Sequence, residues 1–158
     1  MRVIGIDPGP TISAYVLYDG ERVLRCGELT NDVMLARLSD LDLEGTLLSV
    51  EQIVSYGRPV GSDIFETVFW SGRFIQMWEP LPWTRVAFRD VGRHLCNAAS
   101  GIKESHVRQA LLDRFGPSRR EAIGIRKQPG PLYGVSGHGW SALAVAVTAL
   151  DQFLTPAA

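Results

Sequence analysis

Apolar residues near the start of the chain come in short, β-branched runs. Val3, Ile4 and Ile6 run into Asp7, Pro8 and Gly9. This predicts a strand buried on both faces, which must stop where Pro8 lacks a donor and Gly9 permits positive φ. Ile12–Tyr18 reads as a second strand and Arg22–Leu29 as a third, joined through Asp19-Gly20, a strong hairpin signal. Asn31–Ser39 has the pattern of a short helix, with Asn31 as its cap and Val33, Met34, Leu35 and Leu38 able to pack. The acidic link Asp40–Glu44 reads as a loop. Thr46–Glu51, TLLSVE, has the near-continuous apolar pattern of a parallel strand buried on both faces, and like the first strand it ends in an acid.

The second half changes period. After the turn-rich SYGRPVGS of Ser55–Ser62, with Ser62 as cap, a helix is predicted from about Asp63 to Trp78. Its apolar residues, among them Phe65, Val68, Phe69, Trp70, Phe74 and Trp78, spread over more than one face. It should therefore pack on the sheet and on something else, either a dimer partner or another helix of the chain. Trp83–Phe88 follows as a fifth strand and Arg89–Cys96 as a short helix. Ser105 caps a helix that buries Val107, Ala110, Leu111 and Phe115 and stops at Gly116-Pro117. Its Arg108 and Arg114 point elsewhere. Pro117–Gly139 lacks periodicity and is expected to be one long loop. Trp140, Leu143, Ala144, Val147, Leu150 and Leu154 mark a final amphipathic helix. This order of elements fits a mixed five-stranded sheet covered by helices.

At 158 residues and 46% hydrophobic content, the chain has the size of one domain with a substantial core. No apolar run is long enough to span a bilayer and no signal peptide is evident, so a cytoplasmic protein is expected. Cys26 and Cys96 fit no paired metal spacing and read as buried thiols of a reducing compartment. A net charge of −1 hides a polarised distribution. Glu28–Glu51 holds six acids against Arg37, whereas Lys103–Lys127 holds seven bases against Glu104, Asp113 and Glu121. Fourteen of the sixteen bases are Arg, which suits phosphate; a genome rich in G and C gives the same bias.

Two strands that each end in an acid point to chemistry. Asp7 alone is also an ordinary turn residue beside Pro8 and Gly9. If the first and fourth strands are adjacent and parallel, Asp7 and Glu51 stand together at their C-terminal ends, where open α/β sheets bind ligands. Two carboxylates about 4 Å apart repel by roughly 4 kcal/mol at an effective dielectric near 20. Either a cation lies between them or one is protonated. A β-meander opening on such an acid is shared by ribonuclease H-like nucleases and by actin-like kinases and ATPases.

IGIDPG at the first strand, VEQ at the fourth and the closing SALAVAVTAL resemble the RuvC family of Holliday junction resolvases, within the ribonuclease H-like superfamily. The likeness is closer to phage-encoded relatives, through SYGRPVGSDIFETVFWSGRF, RQALLDRFG and KQPGPLYGVSGHGWSALAVA, and it covers nearly the whole chain. It implies a ribonuclease H-like α/β fold over residues 1–158 as a single nuclease domain, with a mixed sheet in the order 3-2-1-4-5. It also implies a homodimer acting on four-way or branched DNA with Mg²⁺ or Mn²⁺ at a two-metal site. Asp7 and Glu51 are then catalytic metal ligands. A further ligand is expected at the start of the last helix, where the bacterial resolvases show an acid or a His, then two residues, then Asp. Here His138 takes the first position, as a metal ligand or general base, and Ser141 the second, so that a carboxylate is lost. Asp151 is too far along the helix to replace it, about 20 Å away. Lys103 matches a DNA-contacting lysine position. A second such position falls at Gly92, where only the neighbouring Arg93 can take its part. The bulky residue expected at Val54 is absent, which leaves Tyr56 or Arg58 to act at the junction. Arg126 and Lys127 join the candidate DNA contacts.

The reading that follows is a metal-dependent, structure-selective endonuclease of branched DNA. Its rivals are a junction-binding protein with weak or no cleavage, a ribonuclease H-like enzyme acting on RNA, and last an actin-like ATPase. That ATPase fold places its nucleotide between two domains.

Overall fold

The computed structural model describes residues 1–39, 44–98 and 100–155. Most of the predicted acidic link, residues 40–43, lies outside them. The sheet is built from β1 (Arg2–Asp7), β2 (Ile12–Tyr18), β3 (Val23–Thr30), β4 (Thr46–Gln52) and β5 (Trp83–Ala87) in the order β3-β2-β1-β4-β5. β2 runs antiparallel to both β1 and β3, while β4 is parallel to β1 and to β5. This is the expected ribonuclease H-like sheet, in the expected order. Asp19 secures the β2–β3 turn by accepting from the amides of Glu21 and Arg22, at 2.9 and 2.8 Å.

Helices cover both faces, and alternation along the strands decides which residues meet which layer. Ile4, Ile6, Leu48 and Val50 pack with Met34 and Leu38 of α1 (Asn31–Ser39) and with Phe74 and Trp78 of α2 (Ser62–Trp78). The spread of apolar residues on α2 is thus partly explained by α1. The remainder is exposed: Phe65, Val68 and Phe69 keep 67%, 50% and 59% of their surface. On the other face, Val3, Val16 and Leu47 pack with α3 (Phe88–Cys96), α4 (Glu104–Phe115) and above all α6 (Gly139–Leu154), whose residues from Trp140 to Leu150 are almost all buried. α6 crosses β1 so closely that a Cβ on Gly5 would overlap the Ala142 carbonyl and come within 2.9 Å of the Ala146 methyl. Among the described residues no helix is long and apolar enough to cross a membrane.

The expectation of one long loop over Pro117–Gly139 is wrong. The segment forms a short helix, α5 (Arg119–Ile123), and a tight hairpin of β6 (Gly124–Ile125) and β7 (Gln128–Pro129). Ala122 and Leu132 within it are fully buried. The segment packs through single apolar residues at irregular spacing, so no period announces it. Two caps also differ. α2 begins at Ser62, with Gly61 at the cap position, and Ser105 lies inside α4, whose cap position is Lys103. There the Lys103 amide donates to His106 Nδ1 at 3.3 Å. Cys26 and Cys96 are free and half-buried.

Candidate active site

The register of β1 and β4 pairs Ile6 with Val50, so Asp7 and Glu51 come next on adjacent parallel strands. Both lie an even number of residues from Val3 and Leu47, which face α6, and so both point to the α6 side. The row continues across the sheet: Asp7 pairs with Ala14, and Ala14 pairs with Glu28 of β3.

The turn after Asp7 is pinned from beneath by two polar residues that the sequence reading did not place there. The Ser13 hydroxyl donates to Asn31 Oδ1 at 2.6 Å and accepts from the Gly9 amide at 3.1 Å, while Asn31 Nδ2 donates to the Gly9 carbonyl at 2.9 Å. Ser13 and Asn31 are buried. Asn31 is therefore the anchor of the Asp-Pro-Gly turn rather than a cap for its own helix.

His138 arrives from the other direction, at the cap position of α6. Its Nδ1 is 3.2 Å from Asp7 Oδ2, with the imidazole 77% exposed and the Asp7 side chain only 16% exposed. The His138 amide donates to Glu28 Oε1 at 3.4 Å. Three of the predicted site residues, Asp7, Glu51 and His138, thus come together, and Glu28 joins them. Ser141, one turn along α6, lines the adjoining cleft of about 600 Å³ with Glu51, His138, Glu104, Arg108 and Arg119. Asp151 is indeed elsewhere: it accepts two bonds from Arg114, at 2.5 and 2.9 Å, and contacts His94 Nε2 at 2.6 Å.

Burial is the main force on the acid pair. It raises Asp7 above the usual carboxylate range, opposed by a hydrogen bond with Glu51 and by His138. Glu51 is pushed up to about 8, first by burial, then by the charge of Asp7 and their hydrogen bond, and last by Glu104. Both carboxyls are thus held above their ordinary values, and one proton is favoured on the pair. Glu104, in the first turn of α4, was not expected near the site. Nothing in the local sequence separates it from an ordinary acid at a helix N-terminus.

Two carboxylates and an imidazole nitrogen suit a hard divalent cation, with the nitrogen favouring Mn²⁺ more than an all-oxygen set does. Among the described residues no group of three or more His, Cys, Asp or Glu side chains is gathered closely enough to hold a metal ion. An open acid pair is nonetheless what Mg²⁺ commonly uses, since it keeps waters and takes its remaining ligands from substrate phosphates.

The other candidate residues are spread around this centre. Tyr56 and Arg58 are exposed on the loop before α2, and Arg126 and Lys127 form the exposed tip of the β6–β7 hairpin. Arg93 is exposed and lies 3.8 Å from Asp90. Gly92 is buried, and a Cβ there would come within 3.1 Å of the Ile102 side chain, which would have to give way to it. Lys103 is exposed at the start of α4.

No protein-family profile and no curated protein matches the chain. Among solved structures it is similar to Thermus thermophilus RuvC, with a TM-score of 0.71 at 18% identity over 98% of this chain and 96% of that one. It is similar also to T. thermophilus RuvC in complex with a Holliday junction substrate, with a TM-score of 0.69 at 18% identity over 98% and 95% of the two chains. The chain therefore has a RuvC-like fold over nearly its whole length.

Proposed function

We propose that the protein is a divalent-metal-dependent endonuclease that cuts branched DNA, with four-way junctions as its substrate. The observation that carries this reading is the acid pair. Asp7 and Glu51 lie side by side at the C-terminal ends of β1 and β4, with His138 Nδ1 3.2 Å from Asp7. A buried acid with Glu51 pushed up to about 8 is a site prepared for a cation. The RuvC-like fold, including its likeness to a structure that holds a Holliday junction, supports DNA over RNA as the substrate.

Asp7, Glu51 and His138 would hold Mg²⁺ or Mn²⁺. Bound there, such ions would supply activation of a water for in-line attack on the phosphodiester and charge stabilisation at the departing 3′-oxygen, with a 5′-phosphate as product. The chain's own part is positional. β1 and β4 fix the two carboxylates, Ser13 and Asn31 hold the turn after Asp7, and the crossing of α6 over Gly5 sets His138 against Asp7. Glu51 must lose its proton for the pair to bind a cation. Ser141, a poor metal ligand, would supply no carboxylate to such an ion. Lys103, Arg126 and Lys127, with Tyr56, Arg58 and Arg93, offer contacts to the arms of a junction.

The reading includes a homodimer formed through α2. Its exposed Phe65, Val68 and Phe69 form a contiguous apolar face, the kind of surface that marks an interaction site. Gly72 on the same helix has nothing within 4 Å of where a Cβ would stand, so a second helix can approach closely. A twofold dimer would bring two acid pairs to opposed strands of one junction.

The test is a cleavage panel of labelled four-way junction, linear duplex and RNA–DNA hybrid, each with Mg²⁺, Mn²⁺ or EDTA. Cutting of the junction alone, abolished by EDTA, is expected. Cutting of the hybrid in preference to the junction favours the RNA reading, and tight junction binding without cutting favours a binding protein.

A further inference from the structure

α4 leans over the cleft beside the acid pair and presents one stripe to it, Glu104, Ser105, Arg108, Gln109 and Leu112. These positions repeat at three and four residues, the spacing of a single helix face. Arg108 is half-buried in this stripe, and its guanidinium carbon lies 4.8 Å from the centre of the Trp140 ring. Trp140 is 8% exposed and stands two residues after His138 at the start of α6. Arg108 is therefore fixed by stacking to the same short piece of chain that positions the site histidine.

Its charge is left unused. Glu104 is four residues away on the same face, the spacing at which an ion pair usually forms. Yet among the described residues Arg108 makes no ion pair with Glu104 or any other acid. Nor is Arg108 among the charges that act on Glu51. An arginine held over an indole face, beside two buried acids but out of their direct range, is set up for an anion next to the reacting centre. Stacking costs the guanidinium none of its hydrogen-bonding edge, and pre-ordering it lowers the entropy lost on binding.

We propose that Arg108, held by Trp140, binds a backbone phosphate flanking the one that is cut on the same DNA strand. The inference rests on the nuclease reading and assigns a substrate contact within it. It differs from a covering role, in which the arginine stem merely shields Trp140 from water, because only a phosphate contact releases a counterion on binding.

The experiment measures four-way junction affinity in EDTA, where no cutting occurs, across a range of KCl concentrations. The proteins compared are wild type, Arg108→Gln and Arg108→Lys, each with its thermal midpoint recorded. Loss of one phosphate contact flattens the slope of log K against log salt by about 0.9, equivalent to about eightfold weaker binding at 0.1 M salt. Arg108→Gln is expected to show both changes. Arg108→Lys keeps the charge and is expected to keep the wild-type slope while binding more weakly, which also serves if the glutamine variant fails to fold. Wild-type slope and affinity in Arg108→Gln, or a flattened slope in Arg108→Lys, overturns the assignment and leaves Arg108 a packing residue. A wild-type protein with no preference for junction over duplex overturns the nuclease reading itself, and this inference with it.

Discussion

Glu51 and Asp7 meet across two neighbouring parallel strands, where burial and then the charge of Asp7 push the Glu51 carboxyl up to about 8 and favour a proton that an exposed glutamate would have lost at neutral pH. This sets the sign of a pH effect. A group whose folded pKa is raised contributes stability fully below its ordinary value of 4.5 and loses it as pH rises towards about 8. In EDTA the thermal midpoint of the wild type should therefore fall relative to Glu51→Gln between pH 5 and pH 8. Added Mn²⁺ should restore the wild type at pH 8 and leave Glu51→Gln little changed. Parallel pH profiles for the two proteins in EDTA would show that Glu51 carries no such proton.

The turn behind Asp7 depends on Asn31, whose amide bridges Ser13 and the Gly9 carbonyl from a buried position. Asn31→Ala strands these partners without water, at a cost of about 1–3 kcal/mol. Urea unfolding should show that loss, and junction cleavage should fall further than the stability change explains, because Asp7 is no longer held. Unchanged stability would mean that the network relaxes onto other partners.

In the proposed site His138 takes the first of the two ligand positions at the start of α6, and Ser141 at the second is the departure from the resolvase pattern. With Nδ1 3.2 Å from Asp7 Oδ2, His138→Ala should lose most cleavage activity. His138→Asp should retain activity with a smaller preference for Mn²⁺, and Ser141→Ala should be mild. Cleavage by His138→Ala at the wild-type rate with unchanged metal dependence returns this histidine to the ordinary surface.

Phe65 and Phe69 are exposed on α2, and the contacts of Phe69 are with Trp70 and Arg73 of the same helix. Phe65→Asp combined with Phe69→Asp should convert a micromolar dimer to a monomer in sedimentation velocity while leaving the circular dichroism unchanged. A wild-type protein that is monomeric at that concentration would contradict the proposed interface.

Much of this was legible in the sequence because period-two and continuous apolar runs report burial directly. The run from Val3 to Asp7 and the run from Thr46 to Glu51 foretold parallel neighbours with paired terminal acids, and β1 and β4 are paired that way. Where packing depends on isolated residues, the signal vanishes: Ala122 and Leu132 are fully buried in a segment that has no period. Glu28 and Glu104 were unreadable for a different reason. Glu28 reaches the site by strand pairing through Ala14, and Glu104 by the docking of α4 against α6. Neither lies near Asp7 or Glu51 in sequence. Gly5 was likewise silent until α6 was found lying across it.

The most direct test of the account compares wild type with Asp7→Asn on one labelled four-way junction in Mg²⁺ and in Mn²⁺, with cleavage and binding measured on the same samples. Wild type should make paired cuts in opposed strands. Asp7→Asn should bind the junction at least as tightly, because affinity rests on phosphate contacts from Arg and Lys, and should cut at less than about a thousandth of the wild-type rate, as expected when a metal ligand worth at least 4 kcal/mol of barrier is removed. Near-normal cutting by Asp7→Asn in either metal would contradict the assignment of the site.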